Sequence, residues 1–91
     1  MAIHKSAIKR AQQSEVRRQR NRAVRTRVKS VVKEVQSALD KNSFEEAQVA
    51  LQQAVPVIDR AVSKGVMHHR TAARKISRLS KKVHALSGEQ Q

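Results

Sequence analysis

The residues from Lys5 to about Lys33 form a long basic stretch that contains neither glycine nor proline. Residues 1–33 hold 11 Lys or Arg against one acid, Glu15, which gives a net charge of +10. Ala, Arg, Lys and Gln dominate the stretch, and all four favour helices. We therefore predict one long helix. Because its like charges repel each other, we expect it to form fully only when another molecule neutralises them.

The first half of this predicted helix has no apolar face. We number azimuths around the helix from Val24, at about 100° per residue. Arg10, Arg17 and Arg20 then lie within about 40° of that reference, where core residues would be needed. A helix charged in this way cannot dock its first half on its own protein. The pattern therefore predicts that this half binds an external polyanion.

Apolar residues at alternating spacings of four and three predict three helices that share one core. The first helix spans about residues 5–41 and has this seam only in its C-terminal half. The second spans about residues 43–64 and the third about residues 68–87, with residues 88–91 frayed. The predicted seams are Val24, Val28, Val31, Val35 and Ala38 (with Val32 and Leu39 beside them), then Ala47, Leu51, Ala54, Ile58 and Ala61, then Ala72, Ile76, Leu79, Val83 and Leu86.

Cap and turn residues define the ends of the second helix. Ser43 and Glu46 match a capping box, in which the side chain of each bonds the backbone of the other. Gly65 suits the left-handed position that follows a helix end. Pro56 lies inside the helix and removes one hydrogen bond, so we expect a kink there, with a complete break as the alternative.

Short turns between the helices predict an all-α fold, an up-down-up three-helix bundle in a single domain of residues 1–91. The first helix would be about 54 Å long and the second about 33 Å. Because the two share the turn at Asn42, the first overhangs the second by about 20 Å at its other end. This overhang, up to about Arg18, is the part that lacks an apolar face.

Charge is segregated along the chain. The net charge is +10 over residues 1–33, −3 over residues 34–63 and +6 over residues 64–91, or +13 in all. The chain has no cysteine, which excludes a disulfide framework, and its one aromatic residue is Phe44. A core of mostly Ala and Val in so short a domain is marginal. We therefore expect the free protein to be partly ordered and to gain structure when its charge is matched.

This charge distribution favours a nucleic acid as the partner. A solvated helical surface normally interleaves acids three or four residues from its bases, and the first helix offers only Glu15. Helix-turn-helix, zinc-ligand and basic-zipper patterns are missing, as are aromatic residues that stack on single-stranded bases. Folded, double-helical RNA remains, recognised by shape, phosphate and 2′-hydroxyl contacts. In that setting Ser6, Asn21 and Ser77 either add neutral hydrogen bonds or are ordinary exposed residues.

Two other classes of protein stay open at this point, a basic nucleoid-associated protein and a protein of anionic membrane surfaces. Basic amphipathic helices also lie on anionic lipid, but they carry large apolar residues that this basic segment lacks apart from Ile3, Ile8 and Val16. No apolar run approaches the roughly 20 residues of a membrane span. The Arg-rich start resembles a mitochondrial transit peptide, yet the basic helix continues without a break into a core segment.

The residue types for catalysis or metal binding are not assembled in this sequence. His68 and His69 are adjacent, so they do not face the same way on a helix and cannot share a metal. The turn at residues 65–69 brings them and Arg70 near the arginines at 17–22, where we prefer a phosphate or backbone contact; capping the helix is the alternative. No nucleophile with a base and an orienting group is apparent. We expect no enzyme activity, no cofactor and no small-molecule substrate.

Five motifs are distinctive: Lys5-Ser6-Ala7-Ile8-Lys9-Arg10, Arg18-Gln19-Arg20-Asn21-Arg22, Lys64-Gly65-Val66-Met67-His68, Ala72-Ala73-Arg74-Lys75 and Ser77-Arg78-Leu79-Ser80-Lys81-Lys82. They resemble motifs of the bacterial small-subunit ribosomal protein S-twenty family. With the helix plan, the resemblance covers nearly the whole chain. It implies a primary binder of small-subunit ribosomal RNA, located in the cytoplasmic ribosome and acting in subunit assembly. Neighbouring ribosomal proteins are possible partners, and neither a membrane nor a homo-oligomer is expected.

The candidate RNA contacts combine the basic positions of the first helix with those of the resemblance. They are Lys5, Ser6, Lys9, Arg10, Arg17, Arg18, Arg20, Asn21, Arg22, Arg25, Arg27, Lys29, Lys64, His68, His69, Arg70, Arg74, Lys75, Ser77, Arg78, Lys81 and Lys82.

Overall fold

The computed structural model describes the backbone of residues 2–90 and the side chains of residues 5–88. Within this part of the chain there are three helices and no strand: α1 is Ala2–Asp40, α2 is Phe44–Ser63 and α3 is His69–Gln90. The molecule is elongated, with principal extents of 71 × 22 × 14 Å. The all-α fold with a long first helix is confirmed.

α1 ends at the left-handed residue that the sequence pattern indicates. Asn42 has φ 55°, a conformation that Asn tolerates better than other residues with a Cβ. Its N–H donates to the carbonyl of Leu39 at 3.0 Å, and the N–H of Ser43 donates to Ala38 at 3.2 Å. These two bonds form a Schellman motif, which satisfies carbonyls at the end of α1 and turns the chain into α2.

Only half of the predicted capping box is present at the start of α2. The Ser43 side chain accepts a hydrogen bond from the backbone N–H of Glu46 at 3.4 Å, as predicted. The return bond, from the Glu46 side chain to the Ser43 N–H, is replaced because that N–H already donates to Ala38. Ser43 therefore ends one helix with its backbone and begins the next with its side chain.

The far end of α2 is a second Schellman motif, built on glycine. Gly65 has φ +74°, its N–H donates to Val62, and the N–H of Val66 donates to Ala61 at 3.0 Å. α2 runs without a break through the exposed Pro56, so the alternative of a broken helix is wrong and the kink stays a prediction. The missing bond falls on the exposed side of the helix, where water can satisfy the carbonyl.

α1 and α3 extend further than the sequence analysis expects. α1 begins at Ala2 rather than near Lys5, and α3 continues to Gln90 rather than ending near residue 87. Gly88 does not take the left-handed conformation that lets Gly65 end α2, and a glycine in a helical conformation weakens a helix by only about 1 kcal/mol. Residue 91, the last of the four expected to be frayed, lies outside the described residues.

α2 lies at the centre of the bundle. It packs against both α1 and α3, whereas α1 and α3 contact each other much less. The buried core holds only Val, Ala, Ile and Leu: Val28, Val31, Val35, Ala38, Ala47, Ala54, Val57, Ile58, Ala61, Ala72, Leu79, Val83 and Leu86. Three predicted seam residues, Val24, Leu51 and Ile76, are only half-buried, and Val57 is a core residue that the seam pattern missed.

Replacing Ile58 with Ala tests this core. Ile58 is fully buried, so we expect the free energy of unfolding to fall by about 2–5 kcal/mol, the usual effect of removing a large core side chain. Val49→Ala on the same helix is the control, because Val49 is 53% exposed and its loss should change stability by less than about 0.5 kcal/mol. Urea unfolding followed by circular dichroism measures both. Equal effects of the two substitutions would contradict the packing described above.

Candidate nucleic-acid interface

The first half of α1 projects from the bundle as an exposed basic rod. Residues 5–20, here called the overhang, are exposed without exception, and Val28 is the first buried residue among the described side chains of α1. At about 1.5 Å per residue the overhang is about 24 Å long. The seam begins at Val24 as predicted, although Val24 is only half-buried. The overhang approaches the rest of the bundle only at its base, where Arg17 and Arg20 lie near the end of α2.

Glu15 is the one acidic residue of the overhang. Glu15 contacts the guanidinium of Arg18 at 3.4 Å and accepts a hydrogen bond from the Gln19 side chain, also at 3.4 Å. No other ion pair is found among the described side chains, so the remaining cations of the overhang have no acidic partner there. Their repulsion is relieved only by counterions or by a bound polyanion.

Lys64 closes a cleft where the overhang leaves the bundle. The cleft is lined by Arg17, Arg20, Asn21 and Lys64, so the end of α2 meets the arginine cluster of α1 as the lengths of the helices predict. Asn21 is half-buried, whereas every other residue from 5 to 23 is exposed. Three cations and one neutral amide from two helices therefore face the same space, an arrangement suited to a phosphate group.

A neighbouring cleft between α1 and α2 adds a cation that the sequence analysis missed. Val24 and Val57 form its apolar base, and Arg20, Arg27, Arg60 and Lys64 edge it. Arg60 belongs to the middle helix, whose net negative charge led to its omission. Its spacing of four residues from Lys64 could have found it, because residues so spaced share one face of a helix end.

The basic residues of α3 form an exposed face of that helix. Arg70, Arg74, Arg78 and Lys81 lie on the side of the helix away from its buried seam, with Ser77 among them and Lys75 and Lys82 on the flank; all are exposed. The remaining candidate contacts, Lys5, Ser6, Lys9 and Arg10 on the overhang and Arg22, Arg25 and Lys29 further along α1, are exposed as well. Lys64, at the same end of the bundle, lines a cleft with Arg17 and Arg20. The proximity of His68, His69 and Arg70 to the arginines at 17–22 stays a prediction.

His68 caps the N-terminus of α3. Its Nδ1 accepts a hydrogen bond from the backbone N–H of Arg70 at 3.1 Å. Acceptance by Nδ1 requires a neutral ring with its proton on Nε2. The His68 and His69 rings stack with centroids 4.4 Å apart. The alternative role of His68, as a helix cap, is therefore the one observed. A phosphate contact by His68 stays a prediction.

Replacing His68 with Ala tests the cap. We expect the free energy of unfolding to fall by about 0.5–2 kcal/mol because the N–H of Arg70 loses its acceptor. His68→Asn should retain most of the stability, since Asn is a preferred residue at helix N-termini. Urea unfolding at neutral pH measures both variants. If His68→Asn were as unstable as His68→Ala, the hydrogen bond to Arg70 would not be the stabilising contact.

The described residues offer neither a metal cluster nor a membrane span. No group of three or more His, Cys, Asp or Glu among them could hold a metal ion. None of the helices in the described range is both long and apolar enough to cross a bilayer.

Comparison with known proteins agrees with the helix plan and the charge distribution. The chain is 58% identical over 87 residues to the small ribosomal subunit protein bS20 of Nitratidesulfovibrio vulgaris (strain DP4). The aligned residues cover 96% of this chain and all of that protein. Proteins of the same name from Syntrophobacter fumaroxidans and Desulfatibacillum aliphaticivorans are 55% and 50% identical, over 94% and 97% of this chain and the whole of each relative. The family model described as Ribosomal protein S20 matches residues 2–84. The chain therefore belongs to the ribosomal protein S20 family.

Proposed function

We propose that this chain is a structural constituent of the small ribosomal subunit, which binds small-subunit ribosomal RNA directly and supports assembly of the subunit. The observation that carries the proposal is the overhang, a fully exposed helix whose cations share a single acid. The family to which the chain belongs and the names of its relatives support the same function. The protein acts in the ribosome, in the cytoplasm, with a structural rather than a catalytic role.

Neutralisation of phosphate charge supplies the affinity in this mechanism. Each Lys or Arg that contacts a phosphate releases condensed counterions, so binding weakens steeply as salt is raised. The cleft of Arg17, Arg20, Asn21 and Lys64 collects cations from two helices, and arginine side chains there can grip phosphate oxygens bidentately. RNA bound in this cleft contacts the overhang and the end of α2 together, which stabilises the long helix against its own repulsion.

The exposed basic face of α3 provides a second RNA-binding surface in the proposal. Its basic residues are exposed and belong to a different helix from the overhang, so the protein can contact RNA through α1 and α3 at once. Braced in this way, RNA helices fold against each other with less phosphate repulsion. The candidate contacts of the sequence analysis are retained as the proposed RNA contacts, with Arg60 added because it edges the cleft between α1 and α2.

Replacing Arg17, Arg18, Arg20 and Arg22 together with Gln tests the proposed role of the arginine cluster. Glutamine keeps the helix propensity and removes four charges. We expect weaker binding to small-subunit ribosomal RNA and a slope of log affinity against log salt that is shallower by about 3, since each phosphate contact contributes about 0.7–0.9. Filter binding over a range of salt concentrations gives both quantities.

Lys33→Gln combined with Lys41→Gln is the control variant, because both lysines are exposed and neither is a proposed contact. It should change the slope by much less than the arginine variant. An unchanged slope in the arginine variant would remove the role assigned to the cluster. Partition of the native protein into anionic liposomes at physiological salt, without a preference for folded RNA, would favour a membrane-surface protein instead.

A further inference from the structure

One face of α1 is uncharged from Ile8 to Thr26, although the helix as a whole is strongly basic. Between residues 8 and 26, at about 100° per residue, six residues fall within a window of about 80°, centred about 120° from Val24. We call them the neutral stripe: Ile8, Gln12, Val16, Gln19, Ala23 and Thr26. Lys5 lies in the same window, so the uncharged face begins after it. The first half of α1 is therefore not charged on every side.

The neutral stripe is open to solvent and does not serve the protein's own core. All six residues are exposed, and the two larger apolar ones, Ile8 and Val16, are 58% and 63% exposed. Two shallow depressions lie along it, one that includes Gln12 and Val16 and one that includes Gln19, Ala23 and Thr26. The stripe is thus an exposed surface about 27 Å long.

Cations border the neutral stripe on both sides. Lys9, Arg20 and Arg27 lie within about 20° of one another along one edge, by the same angular count. Arg18, Arg22 and Lys29 lie within about 40° of one another beyond the other edge, with the single acid Glu15 between this row and the stripe. The second depression shows both borders together, because Arg22 and Arg27 line its opposite sides. A ligand that fits this face is neutral along its middle and negatively charged along both margins.

Glu15 holds one residue of the stripe in place. Its carboxylate accepts a hydrogen bond from Nε2 of Gln19 and contacts Arg18, each at 3.4 Å. With its amide nitrogen engaged, Gln19 presents the carbonyl oxygen as an acceptor. The only acid of the overhang therefore orients one neutral acceptor and one bordering cation.

We propose that the neutral stripe docks in the minor groove of double-helical RNA, with its bordering cations on the two phosphate backbones and Gln12 and Gln19 on ribose 2′-hydroxyls. The inference deepens the proposed function and rests on it. An α-helix about 10–12 Å across does not enter the deep, narrow major groove of A-form RNA, whereas the minor groove is wide, shallow and lined by 2′-hydroxyls. That groove has uncharged sugars and base edges along its floor and phosphates along both margins, so its charge pattern complements that of the stripe.

Charge also argues against a protein occupant. A second copy of this chain would bring bordering cations against bordering cations and be repelled. The two rows of cations beside the stripe would also repel the surface of any other basic protein. Of the ligands with two parallel rows of negative charge, an RNA duplex matches this face.

Hydroxyl chemistry distinguishes this docking mode from simple phosphate binding. The probe is an RNA duplex of mixed sequence, compared with the same duplex carrying 2′-O-methyl groups throughout. The methylated duplex keeps its phosphate charge, but it loses the 2′-hydroxyl donors and has a crowded minor groove. We expect the native protein to bind the methylated duplex at least about fivefold more weakly, with a salt slope that is nearly unchanged.

A variant with Gln12→Ala and Gln19→Ala locates the contact on the stripe. It should bind unmodified RNA about fivefold or more weakly than the native protein, as expected for the loss of two hydrogen bonds. The affinities of this variant for the unmodified and the methylated duplex should also be similar, because the variant lacks the two side-chain amides that bond the 2′-hydroxyls. The matched control is Gln52→Ala with Gln53→Ala, two exposed glutamines of α2, which should behave as the native protein does.

The outcomes separate this inference from the proposed function. Equal affinity of the native protein for both duplexes, or an equal loss on both in the Gln12 and Gln19 variant, would overturn minor-groove docking. Unchanged RNA affinity in that variant would do the same and would leave the stripe to another partner. In each of these cases a steep salt slope would leave the proposed function intact, whereas the absence of salt-dependent RNA binding would overturn both.

Discussion

Repulsion among the cations of α1 is the constraint on which the rest of the structure depends. The helix carries both the apolar seam that holds the bundle together and the basic overhang, and these two parts require opposite surroundings. Its C-terminal half buries Val28, Val31 and Val35 against the other helices. Its N-terminal half has one acid and nothing apolar on the corresponding face. The bundle therefore anchors one end of a rod whose other end is stabilised from outside the protein.

The bundle provides that anchor with few and small side chains. α2 lies between the other two helices, and two Schellman motifs, at Asn42 and Gly65, fix where it starts and ends relative to α1. The second motif has a functional consequence, because it places Lys64 beside Arg17 and Arg20. The turn that ends α2 therefore also forms one side of the cleft. The position of Gly65 decides that Lys64 lies near Arg17 and Arg20.

Sequence patterns predicted the helices, the overhang and most of the core, because periodicity records which face of a helix is buried. Val57 escaped prediction because α2 packs on two neighbours and so buries a wider face than one seam. Ile76 is half-buried for the converse reason, since α3 has little contact with α1. The neutral stripe escaped prediction because its polar members Gln12 and Gln19 do not form the apolar face that a protein core requires, although they suit the surface of another molecule. That Lys64 and Arg17 line one cleft could not be predicted from the sequence, because it depends on how α1 and α2 are placed relative to each other in the folded chain.

If the overhang is an RNA-binding rod, phosphate should surround it in the intact subunit. A high-resolution electron cryomicroscopy map of small ribosomal subunits that contain this chain would show this. We expect ribosomal RNA around residues 5–20, with phosphate oxygens within about 4 Å of Arg17, Arg18 and Arg20, the distance of an ion pair. An overhang folded back on α2 or α3, or one that lies free in solvent within the assembled subunit, would contradict this expectation.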